Sequence, residues 1–354
     1  MFETQSHCRS RWKMSWIAGA ALAALGFPAG AAQMETMPGD GTNVKMARAT
    51  WDTGWFQAEV YMQALRDLGY TVEGSVTLDN PPFYQSVSQG DVDLWVNGWF
   101  PLHNTYAETF ESGATKIGYV AKGGALQGYL VDKKTAEKLN INSLEDFKRT
   151  EVKEAFDTNG NGKAEMVACP PGWGCEKVIS HHLDAYKLRD HVEPIKAGYS
   201  ASMADALGRY KNGEPIFFYT WTPNWTVGLL KPGEDVVWIE VDHPNLPADQ
   251  KELEDATELS DVTGCIDDPC QMGWPANDIR PVANKAFLEE NPAAKKLLEV
   301  VSIPIQDIFA QNAKMNAGED STEDLQRHAM EWIEKNRATY DGWLEQARSA
   351  AQSG

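Results

Sequence analysis

The chain is short of positive charge. Over 354 residues, 32 Lys+Arg stand against 51 Asp+Glu, a formal net charge of −19. Without a basic excess there is no patch for nucleic-acid phosphates, and an anionic membrane surface is a poor partner. Internal repeats, low-complexity tracts and a phosphate-cradling glycine loop are missing too. No nucleophile–base signature stands out, which disfavours covalent catalysis. Long apolar runs are absent apart from Trp16–Phe27, and that run is too short to span a bilayer comfortably. Cysteine is scarce, at five residues.

What is present begins with that apolar run. Arg9, Arg11 and Lys13 precede it and the small residues Ala29–Ala32 follow it. This order predicts a secretory leader over 1–31, cut after Ala31 or Ala32. Its removal takes three basic residues and Glu3, leaving −19 − (3 − 1) = −21. The mature protein is expected to be exported. Cys8 precedes the apolar run, so it is not a lipid-anchoring cysteine at the cleavage point. The other four fall in close pairs, Cys169/Cys175 and Cys265/Cys270. In an oxidising compartment these read as local disulfides. Neither pair has the spacing of a zinc ribbon, so no metal and no cofactor are expected.

The remaining length and a hydrophobic share of 42% suffice for two lobes. Strands are expected at 43–49, 76–78, 92–96, 128–132, 164–168, 216–219, 236–241 and 279–284. Asn97–Gly98 interrupts the third. A helix capped by Asp52 or Thr53 buries Phe56, Val60, Ala64, Leu65 and Leu68 and stops at Gly69. Shorter helices follow at 84–87, 143–147, 176–186 and 200–211, and the chain beyond Lys285 is mostly helical. Strands alternating with helices predict an α/β protein with mainly parallel sheets flanked by helices.

Ligands of open α/β sheets bind beyond the carboxyl ends of strands. Here those ends carry tryptophan: Trp51 and Trp55, then Trp99, Trp173 and Trp221. Any one of them alone is ordinary core. Repetition at equivalent positions is not, because several indoles around one cavity make a cage for a quaternary ammonium. Trp173 lies inside the Cys169–Cys175 loop, which opens a helix whose free N–H groups favour an anion. Gly174 and Cys175 would supply backbone donors, and His103 one more. A cation cage beside an anion cradle describes a site for a small zwitterion.

These segments resemble the glycine betaine/proline betaine substrate-binding proteins of ABC importers. The resemblance is carried by Trp99-Phe-Pro-Leu-His103, Gln127-Gly-Tyr-Leu-Val-Asp-Lys-Lys, Phe156-Asp-Thr-Asn-Gly-Asn-Gly-Lys-Ala, Cys169-Pro-Pro-Gly-Trp-Gly-Cys175 and Tyr219-Thr-Trp-Thr-Pro223. It implies a two-lobed type II periplasmic binding fold with the ligand in the cleft. Lobe 1 would take 41–127 and 239–350, and lobe 2 would take 128–238. It implies that Trp99, Trp173 and Trp221 enclose the ammonium, and that His103 and the Gly174 and Cys175 amides hold the carboxylate. The implied partners are a methylated ammonium solute and an inner-membrane ABC permease, with the protein itself a monomer. Trp51, Trp55, the Cys265–Cys270 segment and Trp274 depart from the pattern. A modified box could therefore prefer trimethylamine N-oxide, choline, carnitine or dimethylsulfoniopropionate.

Weaker signals have plainer readings. Asp157-x-Asn159-x-Asn161-Gly162 starts like a calcium loop, but Ala168 stands where a ligating Glu is needed, so a solvent-facing Asx turn is expected. His181 and His182 are adjacent on a helix and diverge. The acidic run 252–261 reads as solvated surface. The competing function class is a secreted hydrolase of choline esters, for which His103 has no evident partner. Carbohydrate binding on tryptophan platforms lacks the clustered polar side chains that sugars need.

Overall fold

The structure, a computed structural model, describes residues 37–353; the expected leader lies outside them. Among the described residues there are thirteen strands. They are β1 Met46–Ala49, β2 Ser75–Leu78, β3 Leu94–Phe100, β4 Ala114–Lys116, β5 Ala121–Ala125, β6 Gln127–Asp132 and β7 Ala164–Val167. Then come β8 Val192–Ile195, β9 Phe217–Trp221, β10 Val236–Ile239, β11 Glu258–Leu259, β12 Cys270–Gln271 and β13 Asn277–Asn284. Two main sheets form, in the orders β2-β1-β3-β13-β4, with β5 also on β13, and β10-β6-β9-β7-β8. Each is flanked by helices, giving the expected two-lobed α/β architecture.

The sheets are mixed, which corrects the expectation of mainly parallel ones. Pairing is parallel in β2-β1-β3 and in β9-β7-β8. There a helix crosses between consecutive strands: Trp55–Asp67 and Asn80–Gln89 in one sheet, Gly174–Ala185 and Tyr199–Lys211 in the other. Such crossovers return the chain in the same direction. The strands that join the sheet by other routes run against their neighbours. β13 is antiparallel to β3, β4 and β5, and β6 is antiparallel to β9 and β10.

Local chemistry explains most boundaries. Phe56, Val60, Ala64, Leu65 and Leu68 are all at most 1% exposed, and Gly69 ends their helix in the left-handed region at φ +92°. The expected side-chain cap is not used. A 3-10 turn, Asp52–Gly54, precedes the helix, and Gly54 takes the cap position. Ser143 and Asp146 form a capping box for the turn Leu144–Lys148. The helices Lys285–Glu290, Pro292–Val300, Ile305–Asn316, Thr322–Lys335 and Arg337–Ser353 complete the chain; the fourth packs on Trp55–Asp67 and the fifth on Pro292–Val300.

β3 corrects a second expectation, because it runs without a break through Asn97 and Gly98. A Cβ at Gly98 would lie 2.7 Å from the Phe100 ring and 3.1 Å from the Arg280 carbonyl oxygen. Glycine is needed there because β13 and Phe100 approach the backbone closely. Gly98→Ala should therefore overpack the strand and cost about 1–3 kcal/mol. Urea unfolding of the two proteins checks this, with an unchanged midpoint counting against it.

Candidate ligand-binding site

Trp51 follows β1, Trp99 lies on β3, Trp173 stands between β7 and its helix, and Trp221 ends β9. The two sheets thus contribute two indoles each. All four line one cavity. Trp173 meets Trp51 at 5.4 Å between ring centroids, with planes at 70°, and Trp221 at 5.6 Å and 78°. Near-perpendicular neighbours make walls rather than a stack.

Every indole N–H in the box is spent on the protein. Trp51 and Trp99 both donate to Asn97 Oδ1, at 2.5 and 3.0 Å. Trp173 donates to Thr50 Oγ1 at 2.8 Å and Trp221 to Thr53 Oγ1 at 3.2 Å. The last two bonds cross from one sheet to the other. Thr50 in turn donates to Asp79 Oδ1 at 2.6 Å, which orients it to accept from Trp173. Lys177 reaches Thr105 Oγ1 across the same cleft at 2.6 Å.

The remaining expected residues sort as follows. His103, Gly174 and Cys175 line the cavity, and so do Asn80, Leu102, Gln127 and Tyr219, which sequence reasoning did not single out. Trp55 is not brought to it. Its N–H donates to the Ala49 carbonyl at 2.8 Å and its ring lies under the Arg48 guanidinium at 4.0 Å. Trp274 is buried behind the site, 4.9 Å from both Tyr129 and His182. Sulfur bonds join Cys169 to Cys175 and Cys265 to Cys270, with Cα atoms 6.0 and 6.1 Å apart.

The cavity has a donor end. Gly174 and Cys175 occupy the first turn of the helix Gly174–Ala185, where N–H groups have no intrahelical acceptor and no side chain caps them. A Cβ at Gly174 would sit 3.1 Å from His103 Cδ2, so glycine lets the helix start and the imidazole meet. The backbone N–H of Trp99 donates to His103 Nδ1 at 3.1 Å, with the Tyr84 hydroxyl 2.8 Å from the same nitrogen. A backbone amide can only donate, so Nδ1 is the acceptor and the proton sits on Nε2, which lies 3.1 Å from the Asn80 side-chain amide. Complete burial depresses the His103 pKa to about 3, and the ring is neutral at physiological pH.

The weaker motifs stay structural. Asp157 accepts three backbone N–H groups, from Gly160, Asn161 and Gly162, in an exposed Asx turn. His181 pairs with Asn245 and His182 with the Tyr129 hydroxyl, so the two rings diverge.

Residues 42–335 match the substrate binding domain of the ABC-type glycine betaine transport system. The chain belongs to that family. It is 41% identical to the glycine betaine/proline betaine-binding periplasmic protein of Salmonella typhimurium over 315 residues, covering 89% of this chain and 92% of the relative. It is 40% identical to the glycine betaine-binding periplasmic protein OusX of Dickeya dadantii over 322 residues, 90% of this chain and 93% of the relative. The fold agrees with the glycine betaine, L-proline ABC transporter binding protein of Borrelia burgdorferi at a TM-score of 0.68 and 18% identity, covering 88% of this chain and all of that one.

Two buried imidazoles set an acid limit on stability. Burial lowers both His103 and His182 from 6.5 to about 3. The unfolded chain therefore binds two protons below its own pKa that the folded chain refuses. The stabilisation is complete above 6.5 and is lost as pH falls toward 3. Each group contributes about 1.4 kcal/mol per pH unit in that window. Urea unfolding at about pH 7 and pH 5.5 should differ by roughly 2–3 kcal/mol from this source. His182→Gln should halve the slope, and an unchanged slope would show that His182 is not neutral in the fold.

Proposed function

We propose that this chain is the exported, periplasmic solute-binding component of an ABC importer, and that it captures a small methylated ammonium zwitterion, glycine betaine or proline betaine. The observation that carries this reading is a box of four indoles with every N–H already satisfied, opening onto unsatisfied helix-start amides. A quaternary ammonium has no hydrogen to donate, so it is recognised through the π faces of the rings. Spending the indole N–H groups elsewhere leaves those faces free. At the donor end, charged-acceptor hydrogen bonds from Gly174 and Cys175 suit a carboxylate, with the Nε2–H of His103, beside the Asn80 side-chain amide, as the third donor.

The division into lobe 1, residues 41–127 with 239–350, and lobe 2, residues 128–238, belongs to the same proposal. Trp51, Trp99 and His103 would come from the first, and Trp173, Trp221, Gly174 and Cys175 from the second. Capture would then draw the lobes together, the two cross-sheet indole–threonine bonds completing the box. The delivered solute passes to a permease that recognises the closed monomer. The imidazole of His103 is assigned to the carboxylate rather than to a reaction, and Cys175 is oxidised.

Each indole in a desolvated box contributes roughly 1–2 kcal/mol. Trp99→Ala, Trp173→Ala and Trp221→Ala should each weaken glycine betaine at least about tenfold in calorimetric titration of refolded, ligand-free protein. Unchanged affinity in all three removes the box from the account.

Charge at the other end should decide between ligands. Hydrogen bonds to a charged group are worth roughly 1.5–3 kcal/mol against about 1 for a neutral one. Glycine betaine should therefore bind at least about tenfold tighter than choline. His103→Ala should narrow that gap, because it removes one donor from the carboxylate while the Trp99 indole keeps its bond to Asn97. Equal binding of both ligands to the wild type would contradict the carboxylate cradle.

A further inference from the structure

Two residues lining the cavity, Asn80 and Gln127, carry a buried side-chain atom with no hydrogen-bond partner, and of the two only Gln127 leaves a donor unpaired. Gln127 opens β6 and lies opposite Trp221 in the β6–β9 register. Its side chain lines the cavity and the residue is only 2% exposed. The Tyr219 hydroxyl donates to Gln127 Oε1 at 2.7 Å. Tyr219 is itself buried and its hydroxyl hydrogen has no other acceptor, so this bond fixes which way the amide faces. The other end of the amide, Nε2, is buried with no hydrogen-bond partner. Buried donors left unmade are rare in folded proteins, and each asks for an explanation.

An acceptor in the cavity supplies it. The methylated ammonium presents only C–H groups and cannot accept. The anionic end of the same solute can. This rests on the zwitterion reading given above and extends it to a residue on a different strand from the helix-start amides. We propose that Gln127 determines specificity, its Nε2–H donating to the ligand's carboxylate, with Tyr219 as the positioning residue that holds the amide in that orientation. A cation without an anion leaves the donor unpaired, and the site rejects it on that account as well as on the helix-start amides.

The same geometry predicts an inversion. A glutamate at this position replaces a donor by a negative charge, which repels the carboxylate and attracts a bare quaternary ammonium. A leucine removes the donor and adds no charge.

The test is calorimetric titration of glycine betaine and of choline into the full, refolded, ligand-free chain and its variants, with circular dichroism to verify the fold. Gln127→Leu should weaken glycine betaine by roughly tenfold while choline moves by less than about threefold. Gln127→Glu should weaken glycine betaine by roughly a hundredfold or more and tighten choline. Tyr219→Phe frees the amide to turn and should lower the betaine-to-choline preference several-fold with Gln127 in place. It serves as the measurement should the Gln127 variants fail to fold. Betaine affinity within about twofold of wild type in Gln127→Leu overturns the proposal, as does an equal loss for both ligands, which marks a merely structural role. Absence of betaine binding by the wild type overturns the zwitterion reading itself, and is distinguished by appearing before any substitution is made.

Discussion

The site depends on where four indole N–H groups go. A buried N–H must find an acceptor, and in a cavity it would otherwise turn toward the ligand. Asn97 takes two of them, and Thr50 and Thr53 take one each. That leaves ring faces as the cavity walls. Asn97 can serve both Trp51 and Trp99 because its carbonyl oxygen has two lone pairs and β3 carries it unbroken into the site. Gly98 is part of the same arrangement, since β13 packs against it too closely for a side chain.

The two threonine acceptors tie the box to the architecture. Thr50 and Thr53 follow β1 of one sheet, whereas Trp173 and Trp221 belong to the other. The walls therefore take their final orientation only when the two sheets face each other across the cleft. Trp173 is also bound covalently into a loop by the Cys169–Cys175 link, which ends where the donor amides of the helix begin. Wall and donor end are set by one short segment. His103 completes it from the opposite side, kept neutral by burial and fixed in tautomer by a backbone amide.

Much of this was legible in the residues. Trp99, Trp173, Trp221, His103, Gly174 and Cys175 were expected, Trp51 was open as an addition to the box, and all seven line the cavity. They were legible because strand ends in an α/β chain converge on one edge, and tryptophan recurred there. The α/β class and the helix after β1 followed from hydrophobic period and a terminal glycine. Trp55 was misplaced by the same logic: it sits near a strand end, but the helix it begins turns its ring onto Arg48. Asn97 was read as a strand break because Asn-Gly usually marks a turn. The clue to the contrary was the apolar and aromatic residues on both sides of it.

The sequence by itself determined which chemistry was available: indoles without a basic surface, a cysteine loop opening a helix, and one histidine beside a tryptophan. These are local properties, carried by spacing and residue type. The tertiary structure alone decided the partners. Asn97 and Trp51 are 46 residues apart, Thr50 and Trp173 are 123, and Thr53 and Trp221 are 168. Such pairs leave no periodicity behind, since any Thr or Asn can accept a hydrogen bond. The strand directions were likewise undecided until β13 returned from the far end of the chain to pair against β3. Pattern reports which face of a strand is buried, but direction depends on the route by which the chain arrives.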